Sequence, residues 1–224
     1  EQLTRLLDEV KAAHGRLDGV IHGAGIIEDK LVRDKKLDSA RRVMAVKAGA
    51  ALNLADRLDP DSLRFLVFFS SVSGRFGNRG QADYAAASEI LNKLAVRLDR
   101  AWPRTRVVAI DWGPWAATGM VSPEVARRFA ERGVDLIPVE VGARRLVDEL
   151  LHGRKGESEV VIAGGSSLPW ADAAPAARCD EGEERPAPAI LAVATELDAP
   201  SPGRAEAVRH LQLDVDRYVD DHRL

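Results

Sequence analysis

Lys47, Ser71, Tyr84 and Ser88 come in an order and spacing that could deliver a proton to a carbonyl oxygen. Ser71 closes an apolar run, Tyr84 follows 13 residues later, and Ser88 lies four residues beyond Tyr84. The last interval is one helical turn along a shared face. Reducing a ketone requires a hydride donor on one face and an acid at the oxygen. A phenol, with a reference pKa of about 10, exchanges protons poorly at neutral pH. A neighbouring ammonium favours the phenolate and lowers that value. Ser71 could hydrogen-bond the same oxygen. Each residue also has a plainer reading: Tyr84 as a packed aromatic, Lys47 as a solvated helix lysine, Ser71 as the end of a strand, Ser88 as a small residue for helix packing.

The elements that must position these residues are legible as alternating patterns. Residues 1–13 carry Leu3, Leu6, Leu7 and Val10 at helical spacing, ended near His14-Gly15. GVIHGAG (19–25) reads as a short buried strand entering a glycine turn. A long helix is expected from about Asp38 to Arg57, so it carries Lys47. RFLVFFSS (64–71) is unbroken apolar sequence, which suits a parallel strand covered on both faces. Helix 81–99 carries Tyr84 and Ser88. RVVAIDW (106–112) is a further buried strand, stopped by Gly113-Pro114. Helices are expected at 123–132, with Pro123 at its start, and at 139–152, before a last strand in EVVIAGG (159–165). This alternation predicts an α/β fold, a Rossmann-like doubly wound parallel sheet. Open sheets of that kind bind ligands beyond the carboxyl ends of their strands, which is where Ser71 falls.

Composition narrows the function classes. The chain has 224 residues, 46% apolar and 30% charged, enough for a packed core. Lys+Arg number 32 against Asp+Glu 35, a formal charge of −3, so a general nucleic-acid binder is not expected. The single cysteine, Cys179, excludes an intrachain disulfide and a cysteine metal site, and no metal site is expected. A reducing, cytoplasmic setting fits. No apolar run has the length of a membrane span, about 18 residues. After Gly165 the composition shifts, and six of the 11 prolines fall between Pro169 and Pro202. Residues 166–204 therefore read as a Pro/Ala/acidic linker, with the DEGEE run at 180–184 as solvated charge. HLQLDVDRYV (210–219) alternates apolar and polar residues, as a strand opening a different unit would.

Taken together these stretches resemble the ketoreductase domains of type I polyketide synthases, in the short-chain dehydrogenase/reductase superfamily. FFSSVSGRFGNRGQADYAAASEILNKLA (68–95) is similar to that family's Ser/Tyr region. VIHGAG (20–25), VMAVKAGAALNLA (43–55) and IDWGPWAATGM (110–120) are similar to its other landmarks, in the same order and spacing. The resemblance covers residues 1–165. GIIEDKLVRDK (25–35), FGNRGQADY (76–84) and GVDLIPVEVGA (133–143) are most similar to iterative synthases of the enediyne and polyunsaturated-fatty-acid kind. In those, a hot-dog dehydratase follows. LQLDVDRYVDDHRL (211–224) resembles the opening of one, within residues 205–224, and His222 would match its catalytic histidine.

The resemblance implies an NADPH-dependent reduction of a β-ketoacyl thioester, held on an acyl carrier protein by phosphopantetheine, within a megasynthase. Tyr84 matches the general acid and Ser71 the serine that orients the carbonyl. Ser70, the rival, stands 14 residues before Tyr84 rather than 13. Lys47 matches the lysine that perturbs the tyrosine. Ser88 occupies a position usually filled by asparagine, a departure that shortens the reach of any proton relay there. Gly23, Ala24 and Gly25 would let the cofactor approach the backbone. His22 heads this cofactor-binding stretch, and as a residue of a buried strand it reads as a satisfied core histidine rather than a proton carrier. Pro114, Trp115, Gly119 and Met120 match the segment closing over nicotinamide and substrate. Ile27-Glu28-Asp29 falls near the Leu-Asp-Asp mark of one stereochemical class, and Phe76 stands where the other class carries tryptophan. Both incline to the D-hydroxy product, usually 3R.

The glycine-rich GxGxxG pyrophosphate turn is not among these residues, so the chain by itself is expected to hold NADPH poorly. That keeps a second reading open, a non-catalytic scaffold half-domain of a megasynthase. Retention of Lys47, Ser71 and Tyr84 together argues against it. A free-standing reductase is disfavoured by the linker and the dehydratase-like end.

Overall fold

The computed structural model describes residues 2–116, 123–131, 134–164 and 208–210. Four parallel strands form the centre: β1 (Gly19–His22), β2 (Phe65–Phe69), β3 (Arg106–Trp112) and β4 (Glu159–Ile162), in that spatial order. Their register runs Gly19 to Phe65, Phe65 to Arg106 and Ala109 to Glu159. β5 (Val208–His210) lies antiparallel against β4. It falls in the stretch that the sequence reads as a second unit. The remaining residues of the 166–204 and 205–224 regions, His222 included, lie outside the described residues, as do Gly119 and Met120.

The chain enters through α1 (Gln2–His14). β1 leads to the helical run α2 (Leu37–Met44), a π-turn (Ala45–Gly49) and α3 (Ala50–Ala55). β2 leads to the short α4 (Val72–Phe76) and then to α5 (Ala82–Ala101); β3 leads to α6 (Pro123–Glu131) and α7 (Val139–His152). Apolar residues fill both faces of the strands, so the core is double. Leu66, Phe68, Val107 and Ala109 pack with Leu91, Leu94 and Leu98 of α5 and with Ala51 and Leu54 of α3. The alternate residues Val67, Val108, Ile110 and Trp112 pack with Ile137 and with Leu146 and Leu150 of α7. A strand with two apolar faces needs helices on both, which is the doubly wound arrangement.

Two details differ from expectation. Among the described residues β1 is the outermost strand on its side of the sheet, and Ile21 is 46% exposed rather than buried. The long helix around Lys47 is interrupted by the π-turn, a local widening that apolar periodicity does not reveal.

Candidate active site

The carboxyl ends of β1 and β2, the π-turn and the start of α5 converge on one place. Immediately after β2, two serines diverge. Ser70, 4% exposed, donates its hydroxyl to the Ser88 carbonyl at 3.0 Å and also contacts the Asp111 carboxyl. Ser71 adopts extended backbone at φ −161° and caps α4, its Oγ accepting the Ser73 amide at 3.1 Å. The Ser71 hydroxyl also faces the Tyr84 phenol and acts to lower its pKa. The distinction between the two serines is therefore geometric: one is tied into the interior, the other faces the tyrosine.

Lys47 is buried, and its Nζ lies 4.1 Å from the centroid of the Tyr84 ring. That is a cation–π contact. Burial brings the Lys47 pKa down to about 8, opposed by the nearby Asp111 carboxyl. Burial pushes the Tyr84 phenol up, opposed by the Ser71 hydroxyl and reinforced by Asp29. The expected depression of Tyr84 is thus outweighed here, because the ammonium stands over the ring face and the phenol is withdrawn from water. A neutral phenol keeps its proton ready to give, and a cation beside it is placed to stabilise the charge left behind.

The π-turn that carries Lys47 is held from below. The buried His22 in β1 sets its Nε2 2.9 Å from the Lys47 carbonyl, which can only accept, so Nε2 carries the hydrogen. Burial lowers the His22 pKa, and the Phe68 ring meets it edge-on. His22 is a satisfied interior histidine that fixes the lysine backbone.

Ser88 is fully buried and its hydroxyl has no hydrogen-bond partner. Its Cβ side is pressed against α4: a Cβ added at Gly74 would come within 2.8 Å of it. Gly23, Ala24 and Gly25 follow β1 at the carboxyl edge. A Cβ built at Gly23 would meet nothing closer than the Phe69 ring at 3.7 Å, so the backbone there is open to a ligand. Pro114 and Trp115 follow β3. The Trp115 indole packs on Trp112, with ring centroids 4.7 Å apart, and against Gly142 of α7, where a Cβ would come within 2.4 Å of the ring. The fold therefore seats Trp115 against the α7 face.

Several site residues were not singled out from sequence. Gln81 accepts from Ser73 and Asn78 and donates to Asp29 at 2.9 Å. Lys35 and Asp83 form a buried ion pair at 2.7 Å. Asp111 and Glu159 are buried carboxyls with Asn92 between them, its amide 3.3 and 3.4 Å from each. A carboxylate in an otherwise apolar strand stretch, Asp111 in RVVAIDW and Glu159 opening EVVIAGG, is the signal that could have flagged the last pair. Among the described residues there is no cluster of three metal-binding side chains, and no helix long and apolar enough to cross a membrane.

A parallel α/β sheet with a lysine, a serine and a tyrosine gathered at its carboxyl edge defines a Rossmann-like fold of the short-chain reductase class. Residues 1–117 match the KR domain family model, and the chain belongs to that family. It is 40% identical over 129 residues to one component of the polyunsaturated fatty acid synthase of a Thraustochytrium species, covering 58% of this chain and 4% of that protein. It is 32% identical over 154 residues to the polyketide synthase PksN of Bacillus subtilis, covering 68% of this chain and 3% of that one. Among solved structures, the ketoreductase from the first module of phoslactomycin biosynthesis in a Streptomyces species matches with a TM-score of 0.65 and 32% identity. That match covers 72% of this chain and 36% of the solved one. The chain thus spans only a small part of these synthases and about a third of that ketoreductase.

Proposed function

We propose that this chain provides the proton-delivering half of an NADPH-dependent ketoreductase acting on a β-ketoacyl thioester. The observation that carries the reading is the Lys47 ammonium 4.1 Å from the centroid of the Tyr84 ring, with the Ser71 hydroxyl facing the phenol. The thioester is presented by an acyl carrier protein, within a megasynthase that continues into a dehydratase. Relatives that are a polyunsaturated fatty acid synthase and a polyketide synthase support that setting. They disfavour the scaffold reading, since a scaffold needs none of the three polar groups at this edge.

The open backbone at Gly23 and the polar cluster beside it fit a nicotinamide cofactor. Gly23, Ala24, Gly25, Pro114 and Trp115 would border it. NADPH, when bound, supplies the hydride for the ketone carbon. The Ser71 hydroxyl orients the ketone oxygen, and Tyr84 transfers its phenolic proton to that oxygen as negative charge develops there. Lys47, positively charged, stabilises the phenolate that remains, and solvent returns the proton to Tyr84. Ser88, with its free hydroxyl one turn from Tyr84, is the position through which a buried water could take part in that return.

The test is loss of NADPH absorbance with a β-ketoacyl thioester surrogate, on the chain and on a longer polypeptide that includes a glycine-rich pyrophosphate turn. Tyr84→Phe is expected to lower turnover by about 10²- to 10⁴-fold. Turnover that survives the substitution sinks the assignment of Tyr84.

A further inference from the structure

Lys35 lies in the loop between β1 and α2, and Asp83 is the residue before Tyr84. The Lys35 ammonium reaches both Asp83 oxygens, at 2.8 and 2.7 Å, and the Glu28 carbonyl at 2.7 Å. An ammonium has three hydrogens to give, and these three contacts use them all. Both side chains are withdrawn from water, 8% and 5% exposed. Asp83 is occupied in turn, since its Oδ1 accepts the Tyr84 backbone N–H at 3.0 Å. Two weaker ties run alongside. The Lys30 amide donates to the Gly80 carbonyl at 2.9 Å, and Gln81 donates to Asp29. The loop that follows Gly23–Gly25 is thus bolted to the first turn of α5.

We propose that Lys35 and Asp83 are positioning residues: their ion pair sets where the first turn of α5 begins and so where the Tyr84 phenol lies relative to Ser71. The consequence rests on the proposed reduction, while the positional claim does not. A fully satisfied, buried ion pair has one geometry, unlike a solvated pair that samples many. Tyr84 lacks an intrahelical partner for its amide, as every first-turn residue does, so the Asp83 carboxylate is what holds that amide. A shift of about 1 Å at a reacting group costs on the order of 10²-fold in rate.

The sequence holds two tyrosines, Tyr84 and Tyr218. With Tyr218→Phe as the parent, tyrosinate absorbance reports on Tyr84 alone and needs neither cofactor nor substrate. The parent phenol is expected to ionise above the ordinary tyrosine range. Adding Lys35→Met is expected to move that titration away from the parent's, because the phenol loses its place against Ser71, and to cut kcat about 10- to 100-fold with KM little changed. Lys35→Arg, which can rebuild the pair, is expected to restore both. A folded Lys35→Met chain whose phenol titrates as in the parent overturns the proposal. If Lys35→Met does not fold, Asp83→Asn takes its place: the amide oxygen still accepts the Tyr84 N–H while the charge pair is gone, and the same two readouts decide. A parent that reduces no ketone counts against the proposed function only, and the phenol titration still decides the clamp.

Discussion

Lys47 holds its charge at a cost, and that cost makes the site sensitive to pH. Burial brings its pKa down to about 8 from the usual 10.5. Below about 8 the side chain is an ammonium able to stabilise the Tyr84 phenolate, and above it the charge is lost. Ketone reduction is therefore expected to be flat on the acid side and to fall as pH rises through about 8; a rate profile unchanged to pH ~10 would contradict this role. The stability consequence has its own sign. The unfolded chain keeps the Lys47 proton up to about 10, so between the two values unfolding takes up a proton and stability rises with pH. Lys47→Met, which removes a buried charge while keeping the stem, is expected to abolish turnover yet leave the fold as stable or more stable at neutral pH. Thermal unfolding beside the activity assay reads both.

At the scale of the element, the pairing of α4 with α5 sets the distance between Ser71 and Tyr84. Ser71 caps α4, Tyr84 opens α5, and Gly77 and Gly80 between them take positive φ of 74° and 90°. The two helices touch at Gly74. A Cβ there would stand 2.8 Å from the Ser88 Cβ and 3.0 Å from the Glu89 amide nitrogen. One obstacle is backbone, so it cannot swing aside. Gly74→Ala is expected to cost about 1–3 kcal/mol, read as a lowered midpoint in denaturant. It should also lower kcat by moving Ser71 away from Tyr84. A Gly74→Ala chain of unchanged stability would show that the helices are not held this tightly.

At the scale of the whole molecule, the buried carboxyls Asp111 and Glu159 tie β3, β4 and α5 together. Asp111 is raised well above its ordinary value, first by burial and then by Glu159; Glu159 is raised by burial. The folded chain therefore retains protons that the unfolded chain releases near pH ~4. More protons bound in the native state means that stability falls as pH rises above that value. Asp111→Asn keeps the shape and removes one titrating group. It is expected to flatten that decline and to raise the melting temperature at neutral pH more than at pH ~5. An unchanged slope would place the proton elsewhere. The interior Asp99 is partnered instead: it accepts the amides of Val107 and Gly156 at 2.8 Å and the Lys155 ammonium, which welds α5 to β3.

The amino-acid sequence by itself determined the parallel sheet and the order of its helices. RFLVFFSS and RVVAIDW are apolar on both faces and can lie only between two helical layers. It also set Ser71, Tyr84 and Ser88 at intervals that a strand end and a helix start bring close. Those are local or periodic properties, written in consecutive residues. The tertiary structure alone decided that a π-turn carries Lys47 to the Tyr84 ring and that Lys35 meets Asp83 across 48 positions of sequence. It also decided that burial raises the Tyr84 phenol although a lysine stands beside it. Ion pairing and desolvation depend on which side chains meet in space and on how much water they lose. Neither has a period along the chain from which it could be read.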